Sequence, residues 1–220
     1  MERADFIAEF PVLYHMAECD SWANVYENGL LSTSALLDLY GISGDLRHAI
    51  ESCHRPESIE INRGGLPPAV VRDQKPMSDS ALNKALLDGL TPRDWYETLN
   101  SKVFFWSSED KVKVLLNARA YRDKVHDVIS VDTAKLVQYY GDRIVLCPYN
   151  SGSTIWKPVK RGRKFYSSIE TFDFDVWRKK RGRSKAVTEV CVEGGVEDIR
   201  KIVIQVKRMK RGKVKAQLYP

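Results

Sequence analysis

Short blocks of apolar residues, spaced for strands or for helices, divide the chain along its whole length. The run over residues 10–16 predicts a buried strand that ends near His15. Beyond it, Trp22, Val25 and Tyr26 recur at helical spacing, and Gly29 is placed to end that helix because glycine tolerates a left-handed backbone. The chain therefore opens with a strand, a short helix and a glycine turn.

Helical patterns continue through most of the first half of the chain. Residues 34–40 and 80–87 predict helices. Thr91 followed by Pro92 predicts another helix start, because threonine caps a helix and proline suits its first position. Residues 43–78 show no clear periodicity, and we expect helices and loops there.

The second half of the chain carries mainly strand patterns. Strands are predicted over residues 103–106, 127–132, 143–147, 186–192 and 199–207. One helix is predicted over residues 111–121, and a turn over residues 150–153. Helices followed by strands predict a single α+β domain over residues 1–207. Residues 208–220 are interpreted as a basic C-terminal tail.

Charge is distributed unevenly along the 220 residues. Residues 157–220 hold 19 Lys and Arg against 7 Asp and Glu, a balance of +12, whereas the preceding residues balance to −6. A basic third on an acidic body indicates a polyanion such as nucleic acid as the partner. The alternative is a solvated basic face followed by a cationic tail.

Targeting and cysteine patterns predict a cytoplasmic protein. No run approaches the roughly 20 apolar residues that a membrane span needs. The first residues lack the apolar segment of a secretion signal. The 4 cysteines are scattered and none has CxxC spacing, so we expect reduced thiols and no metal site. Because no apolar run is long enough, we also expect no membrane partner.

Two ionisable residues fall within the predicted strands. His15 ends the first strand, where an imidazole of fixed tautomer can donate to one group and accept from another. Glu189 interrupts the apolar run over residues 186–192, which is costly for a carboxylate unless it faces a polar cleft. Both are candidate site residues. The alternatives are a core histidine and a carboxylate that strand alternation places on the solvated face.

The segments around these two residues resemble parts of the ADP-ribosyltransferases. The Leu-Tyr-His that ends at His15, followed by Trp22, Val25 and the Asn-Gly-Leu-Leu of residues 28–31, is similar to the NAD-binding opening of that superfamily. Residues 188–199, in which Glu189 opens a strand before a loop and a final strand, resemble the late segment of DarT-like DNA ADP-ribosyltransferases.

The rest of the chain resembles that family less. Residues 103–106 and 117–119 lie where it has an aromatic strand and a functional arginine, with longer spacing here. Residues 40–100 and the predicted loop over residues 148–185 have no clear counterpart. The whole chain also resembles an uncharacterised bacterial group that shares the Leu-Leu-Ser-Thr-Ser-Ala-Leu-Leu and Leu-Leu-Asn-Ala-Arg-Ala-Tyr stretches.

The resemblance implies a toxin-like transferase that uses NAD, with Glu189 and Arg119 as catalytic residues. Glu189 would stabilise the positive charge that develops on ribose, or activate the acceptor. Arg119 would pair with pyrophosphate, its alternative being a solvated helix residue. Trp106 is alternatively an ordinary core residue. The residues expected to bind NAD are His15, Gly29, Leu30, Ser32, Thr33, Trp106 and Tyr121.

Two basic segments with aromatic neighbours predict nucleic-acid contacts. Cations neutralise phosphates and aromatic rings stack on exposed bases. The first segment begins at Lys157, beside Trp156, and the second follows Trp177. The alternative for both is a solvated loop. The candidate contacts are Lys160, Arg161, Arg163, Lys164, Arg178, Lys179, Lys180 and Arg181.

Together these features predict an ADP-ribosyltransferase-like fold with a split mixed β core and N-terminal and inserted helices. The predicted function is ADP-ribosyl transfer from NAD, without a metal, to nucleic acid. DNA is the favoured acceptor, with protein or RNA as alternatives. A second class is a catalytically inactive nucleic-acid-binding module of the same fold. A third is a phosphotransferase related to tRNA splicing enzymes, whose basic phosphate tetrad has no match in this sequence. An antitoxin or hydrolase partner cannot be read from the sequence.

Overall fold

The computed structural model describes residues 1–155 and 158–220, in which helices flank a large β-sheet. The strands are β1 Val12–Glu18, β2 Leu30–Leu31, β3 Ile59–Ile61, β4 Ala69–Val71, β5 Lys102–Trp106, β6 His126–Asp132, β7 Ile144–Cys147, β8 Ser167–Ser168, β9 Glu189–Glu193, β10 Gly195–Val196, β11 Val203–Lys210 and β12 Lys213–Tyr219.

The helices are short and several begin at a side-chain cap. Thr91 caps α6 in a capping box with Asp94, as the Thr-Pro pair predicts. The helices are α1 Arg3–Glu9, α2 Trp22–Asn28, α3 Thr33–Leu39, α4 Gly44–Glu51, α5 Asp79–Ala85, α6 Pro92–Asn100, α7 Glu109–Leu116, α8 Thr133–Tyr140, α9 Phe174–Arg181 and α10 Arg183–Ala186.

Within the described residues, the main sheet has 8 strands in the order β12-β11-β6-β1-β5-β9-β7-β8. Each of its strand ladders is antiparallel. The predicted α+β class is confirmed, but the prediction of a mixed sheet is wrong. The parallel pairing in the described chain is an isolated bridge between Leu86 and Arg161. The sequence pattern marks a strand but not the direction in which it enters the sheet, which long-range connections decide.

The sheet opens between β1 and β5. β1 pairs with β6 from Val12 to Glu18, but with β5 only at Tyr14 opposite Trp106. The next pairs in that register, His15 opposite Phe105 and Met16 opposite Phe104, are not formed. The two strands therefore separate beyond Tyr14 and leave part of their backbone without a partner from the other strand.

Apolar side chains pack on both faces of the sheet. The largest core includes Phe6, Leu13, Ile129, Leu136 and Val190 and joins α1 and α8 to the central strands. Smaller cores lie within the segment between β1 and β5, where α3, α4, α6 and the β3–β4 hairpin pack together. Most of this inserted segment, residues 40–100, has no counterpart in the family that the sequence resembles.

Two predicted boundaries near the basic segments are wrong. Residues 208–220 are not a tail, because β11 continues to Lys210 and β12 returns beside it. Arg211 and Gly212 both have positive φ, at 51° and 68°, as a two-residue hairpin turn of that hand requires. The predicted loop over residues 148–185 contains α9 and α10.

The helix predicted over residues 111–121 ends at Leu116, where Asn117 Nδ2 donates to the Lys113 carbonyl 2.8 Å away. The side chain therefore helps to close the last turn. In the described part of the chain, none of the helices has the length and apolar character needed to cross a membrane.

Candidate functional site

A cavity of about 610 Å³ lies where β1 and β5 separate. Its wall includes His15 to Glu18 from β1 and Lys102 to Phe104 from β5, which are the residues beyond the last shared pair. Residues from the inserted segment close it from another side, among them Pro68 and Val70. The opening in the sheet thus becomes a partly open cavity, bordered by backbone that has no partner from the opposing strand.

His15 occupies the point at which the two strands separate. Its Nδ1 lies 2.8 Å from the Phe104 carbonyl oxygen, a group that only accepts. Nδ1 therefore carries the proton, and Nε2 is left as a hydrogen-bond acceptor. Burial lowers the pKa of His15 to about 4, so the ring is neutral at physiological pH. The imidazole thus gives the Phe104 carbonyl a hydrogen-bond donor from β1 where the backbones of β1 and β5 do not pair.

Glu189 is the first residue of β9 and faces the same cavity. It lies between Trp106 of β5 and Cys147 of β7 in the sheet, and only 3 % of it is exposed. The backbone N–H of Ser151 donates to both carboxylate oxygens, at 3.2 and 3.1 Å. Burial raises the pKa of Glu189 to about 7. Both protonation states are therefore available near neutral pH.

The residues predicted to bind NAD are largely brought together. Gly29, Leu30, Thr33, Trp106 and Tyr121 line the cavity with His15 and Glu189. Gly29 has a φ of 89°, and a Cβ there would lie 2.6 Å from the Glu197 carbonyl oxygen. Glycine is therefore required at this position both for its conformation and for the close approach of the chain around Glu197.

Comparison with known proteins identifies the family to which the chain belongs. Residues 11–203 match the model of a family of unknown function, DUF7002. The chain belongs to this family. No curated protein and no solved structure matches the chain. The matched range of the DUF7002 chain includes β1, β5 and β9 and hence both His15 and Glu189, whereas β12 lies beyond it.

The inserted segment of this DUF7002 chain supplies cavity residues that sequence reasoning missed. Arg72 Nε donates to Glu18 Oε1 at 3.1 Å, and its Nη1 donates to the Met16 carbonyl at 2.9 Å. Its guanidinium also lies 5.0 Å from the centre of the Tyr121 ring. Arg72 thus fastens the segment to the opened end of β1. The signal in the sequence is weak: a short apolar run, Ala69–Val71, followed by charged residues.

Arg119 does not lie where the sequence predicts. It is exposed on the turn after α7 and is not part of the cavity wall. The early end of α7 at Leu116 takes it off the helix. Tyr121 is buried by the same turn, and its hydroxyl donates to Asp73 Oδ1 at 3.0 Å. The arginine beside Tyr121 is therefore Arg72, not Arg119.

Ser32 also departs from its predicted role. Only 2 % of it is exposed, and it is not part of the cavity wall. Its hydroxyl accepts a hydrogen bond from the Ala35 backbone at 3.2 Å and caps α3. This is an ordinary use of serine at a helix start. Thr33, the next residue, does line the cavity.

Carboxylates outnumber cations on the cavity wall. The Arg55 guanidinium donates to the backbone carbonyls of Arg72 and Ile50 and to Asn100 Oδ1, so protein groups already occupy it. Lys102 Nζ lies 3.2 Å from both the Thr98 carbonyl and Ser101 Oγ. The wall residues therefore have an acidic formal balance, with Glu18 and Arg72 paired to each other. The carboxylates are Glu18, Asp20, Glu60, Asp73 and Glu189, and the cations are Arg55, Arg72 and Lys102.

The predicted nucleic-acid contacts have two different environments. Lys160, Arg163 and Lys164 are exposed, whereas Arg161 is fully buried, which contradicts its predicted surface role. Arg161 is enclosed because its guanidinium packs against Trp95 and Phe165. Lys157 and Trp156, at the start of this basic segment, lie outside the described residues.

The second basic segment forms the last turn of α9, a helix without buried residues. Arg178, Lys179 and Lys180 are exposed, and the Arg181 guanidinium lies 4.3 Å from the centre of the Tyr149 ring. Cations at a helix C-terminus are favoured by the helix dipole whatever they bind. None of the predicted contacts lines the cavity, but Tyr149 directly precedes Asn150, which does.

Proposed function

We propose that this DUF7002 protein is an NAD-dependent ADP-ribosyltransferase that acts on nucleic acid, with DNA as the favoured acceptor. The observation that carries the proposal is that His15 and Glu189, far apart in the sequence, line one cavity at the opening of the sheet. His15 offers a neutral hydrogen-bond acceptor, and Glu189 offers a carboxylate that titrates near neutrality and can act as a general base.

The chemistry places its main demand on Glu189. Transfer breaks the bond between the nicotinamide nitrogen and ribose C1′, and nicotinamide leaves with the bonding electrons. A bond then forms from C1′ to the acceptor, which loses a proton. The Glu189 carboxylate stabilises the positive charge that develops on ribose and accepts the acceptor's proton. The acidic wall of the cavity supports the same charge.

Other cavity residues would hold the substrate. His15 Nε2 is free to accept a hydrogen bond from a ribose hydroxyl, because Nδ1 is committed to the Phe104 carbonyl. Trp106 and Tyr121 offer aromatic surface to the nicotinamide or adenine ring. The cavity volume of about 610 Å³ falls among ligand sites, which span roughly 300–1,000 Å³.

The acceptor proposal depends on the surface beside Glu189. α9 presents exposed cations, and Arg181 stacks on Tyr149 next to the loop that contacts Glu189. Trp177 lies 5.4 Å from Tyr149, with Lys180 5.2 Å from the Trp177 ring. Cations interleaved with aromatic rings suit a phosphate backbone and its bases. Such contacts position the nucleic acid without specifying its sequence.

Calorimetry with NAD tests the enzyme proposal first. We expect binding in the micromolar-to-millimolar range, as for typical enzyme substrates. His15→Ala should weaken it, because the Nε2 acceptor is removed and the Phe104 carbonyl is left without its donor. His48→Ala is the matched control, since His48 is exposed and outside the cavity wall. No heat and no thermal shift at saturating NAD would remove the enzyme proposal.

Incubation of the wild-type protein with NAD labelled in its ADP-ribose part then separates the acceptors. Label is expected on DNA. Label on RNA or protein instead would replace the acceptor and keep the reaction. NAD hydrolysis without transfer would keep the NAD site and reject these acceptors. DNA binding with no turnover would favour the inactive nucleic-acid-binding module.

A further inference from the structure

Arg161 is a buried cation close to Glu189 that the proposed reaction does not use. It is 0 % exposed. Its backbone N–H donates to the Ala85 carbonyl at 2.9 Å, and its own carbonyl accepts from Leu87 at 2.7 Å. Its guanidinium lies 5.6 Å from the Trp95 ring centre and 5.9 Å from that of Phe165. The residue is therefore held on all sides within the protein.

The guanidinium bonds to carbonyl groups rather than to a carboxylate. Nη1 donates to the Val159 carbonyl at 3.3 Å, and Nη2 donates to the Ser153 carbonyl. Nε is buried without a hydrogen-bond partner in the described residues. None of the ion pairs formed there includes Arg161. A buried charge left in this way is costly, so its position needs a reason.

The loop to which Arg161 bonds is the loop that contacts Glu189. Arg161 Nη2 donates to the Ser153 carbonyl, and Trp95 Nε1 donates to the Ser151 carbonyl at 3.4 Å. The Ser151 N–H points the other way and donates to both oxygens of Glu189. The stacked guanidinium and indole therefore hold both ends of residues 151–153, and this loop supplies the donor to the carboxylate.

We propose that Arg161 is a positioning residue that holds the Ser151–Ser153 loop in place so that the Ser151 N–H binds the Glu189 carboxylate. Arg161 acts on Glu189 through the loop and through its own charge, and it does not contact NAD or nucleic acid. Only the effect of Arg161 on turnover depends on the proposed transferase function. The structural part of the proposal, the placement of Ser151 against Glu189, holds whatever the reaction is.

Electrostatics support this arrangement. Burial is the main influence and raises the pKa of Glu189, while the Ser151 hydrogen bonds and the Arg161 charge act in the opposite direction. Burial raises the pKa of the neighbouring Cys147, Cys191 and Tyr166 well above their ordinary values. Three further charged groups act on the two cysteines, namely Arg181 on Cys147, and Lys102 and Glu193 on Cys191. The two cysteines and the tyrosine are neutral near pH 7, and the charge that lowers the pKa of Glu189 itself is that of Arg161.

The test compares Arg161→Gln and Arg161→Lys with Arg163→Gln, a matched control on an exposed arginine of the same segment. Infrared difference spectra of the carboxyl band, assigned with Glu189→Gln, follow the titration of Glu189. Hydrogen exchange follows the Ser151 amide. Arg161→Gln should raise the titration midpoint by about one pH unit, as removal of a neighbouring charge does, and should speed Ser151 exchange. Arg161→Lys should keep the midpoint nearer wild type but still speed exchange. Arg163→Gln should change neither.

Turnover and DNA binding complete the test. Arg161→Gln should lower kcat more than it raises KM, with DNA affinity unchanged. A folded Arg161→Gln protein with wild-type titration and exchange would overturn the proposal. The proposal would also be overturned if Arg161→Gln lost as much DNA affinity as Arg163→Gln while the Glu189 titration and the Ser151 exchange stayed unchanged. Should Arg161→Gln fail to fold, unchanged Ser151 exchange in Arg161→Lys would overturn it. If wild type does not turn over NAD, the proposed function fails, while titration and exchange still decide the role of Arg161.

Discussion

The cavity wall and α9 use charged residues in opposite ways. On the wall, Glu189 is 3 % exposed and a single backbone N–H serves both of its oxygens. On α9, Arg178, Lys179 and Lys180 face solvent. Burial changes the pKa of Glu189 by more than two units from its ordinary value of 4.5, to about 7. The difference teaches that burial, more than residue type, sets the protonation behaviour of a charged side chain.

The two regions should therefore respond differently to substitution. A buried group acts through one fixed geometry, so a single change has a large effect. Exposed cations act together through a screened field, so each contributes little and salt weakens them all. Substitutions on the cavity wall and on α9 separate these two behaviours.

The largest effect is expected from Glu189→Gln, which keeps the size of the side chain and removes its charge. Transfer should fall by at least about a hundredfold, the scale of one general-base contribution. NAD affinity should stay nearly intact, because the carboxylate acts mainly in the transition state. Turnover of labelled NAD and calorimetry measure the two quantities.

Glu193→Gln is the control, since Glu193 ends the same strand but its side chain is 54 % exposed. Glu197→Gln is a second control, and its carboxylate pairs with Arg143 at the surface. Both variants should remain active. Equal activity of Glu189→Gln and wild type would defeat the catalytic assignment.

The pH profile should report Glu189 alone between pH 5 and 8. Because its pKa is raised to about 7, kcat should rise about tenfold per pH unit below that value and level off above it. The pKa of His15 is about 4, so this residue stays neutral and adds no second limb in that range. If kcat instead fell with rising pH in this range and His15→Gln removed that fall, the expectation that His15 is neutral would be wrong.

Stability should change with pH in the opposite direction. The folded-state pKa of Glu189 lies above its ordinary value, so folding favours the protonated carboxyl. That contribution is complete below about pH 4.5 and disappears as pH rises to about 7. Chemical unfolding of Glu189→Gln should lack a decrease of roughly 3 kcal/mol that wild type shows over this range. Parallel curves for both proteins would contradict the raised pKa.

A graded effect is expected on α9. Neutralising Arg178, Lys179, Lys180 and Arg181 should reduce the slope of log K against log salt by about one for every phosphate that these cations neutralise. Filter binding of DNA at several salt concentrations measures the slope. The matched control neutralises a second set of four cations on the β11–β12 hairpin, namely Lys210, Arg211, Lys213 and Lys215. Equal slopes for the α9 variant and wild type would identify α9 as a solvated helix.

The smallest effect is expected from Arg119→Ala. Arg119 is exposed and outside the cavity wall, so NAD affinity and turnover should match wild type. Arg72→Ala is the contrast, because Arg72 joins the inserted segment to Glu18 and the Met16 carbonyl. It should weaken NAD binding. A loss of turnover in Arg119→Ala alone would restore the sequence-based assignment.

Local signals made several features predictable from the sequence. The helix that ends before Gly29 and the Thr91 cap appear close to their predicted positions. The first strand also forms, but it continues to Glu18 instead of ending near His15, because β6 pairs with it along its whole length. Each depends on residues near one another in the chain: apolar periodicity, a glycine with positive φ, or a cap followed by proline. The candidates His15 and Glu189 came from the same kind of signal, a polar residue within an apolar strand.

Other features depend on contacts between distant segments. Three features belong to the assembled sheet: the opening between β1 and β5, the cover supplied by residues near Arg72, and the pairing of β11 with β12. Arg161 and Arg163 show the limit most clearly. Both belong to one basic segment, yet Arg161 is buried against Trp95 and Arg163 is exposed.

The sequence by itself determined the α+β class, the first strand and helix, and the two candidate site residues, because local spacing encodes periodicity and caps. Only the tertiary structure decided that His15 and Glu189 share a cavity and that Arg161 faces inward. Strand order, strand direction and burial follow from side chains that meet across long stretches of chain. Local spacing does not contain that information.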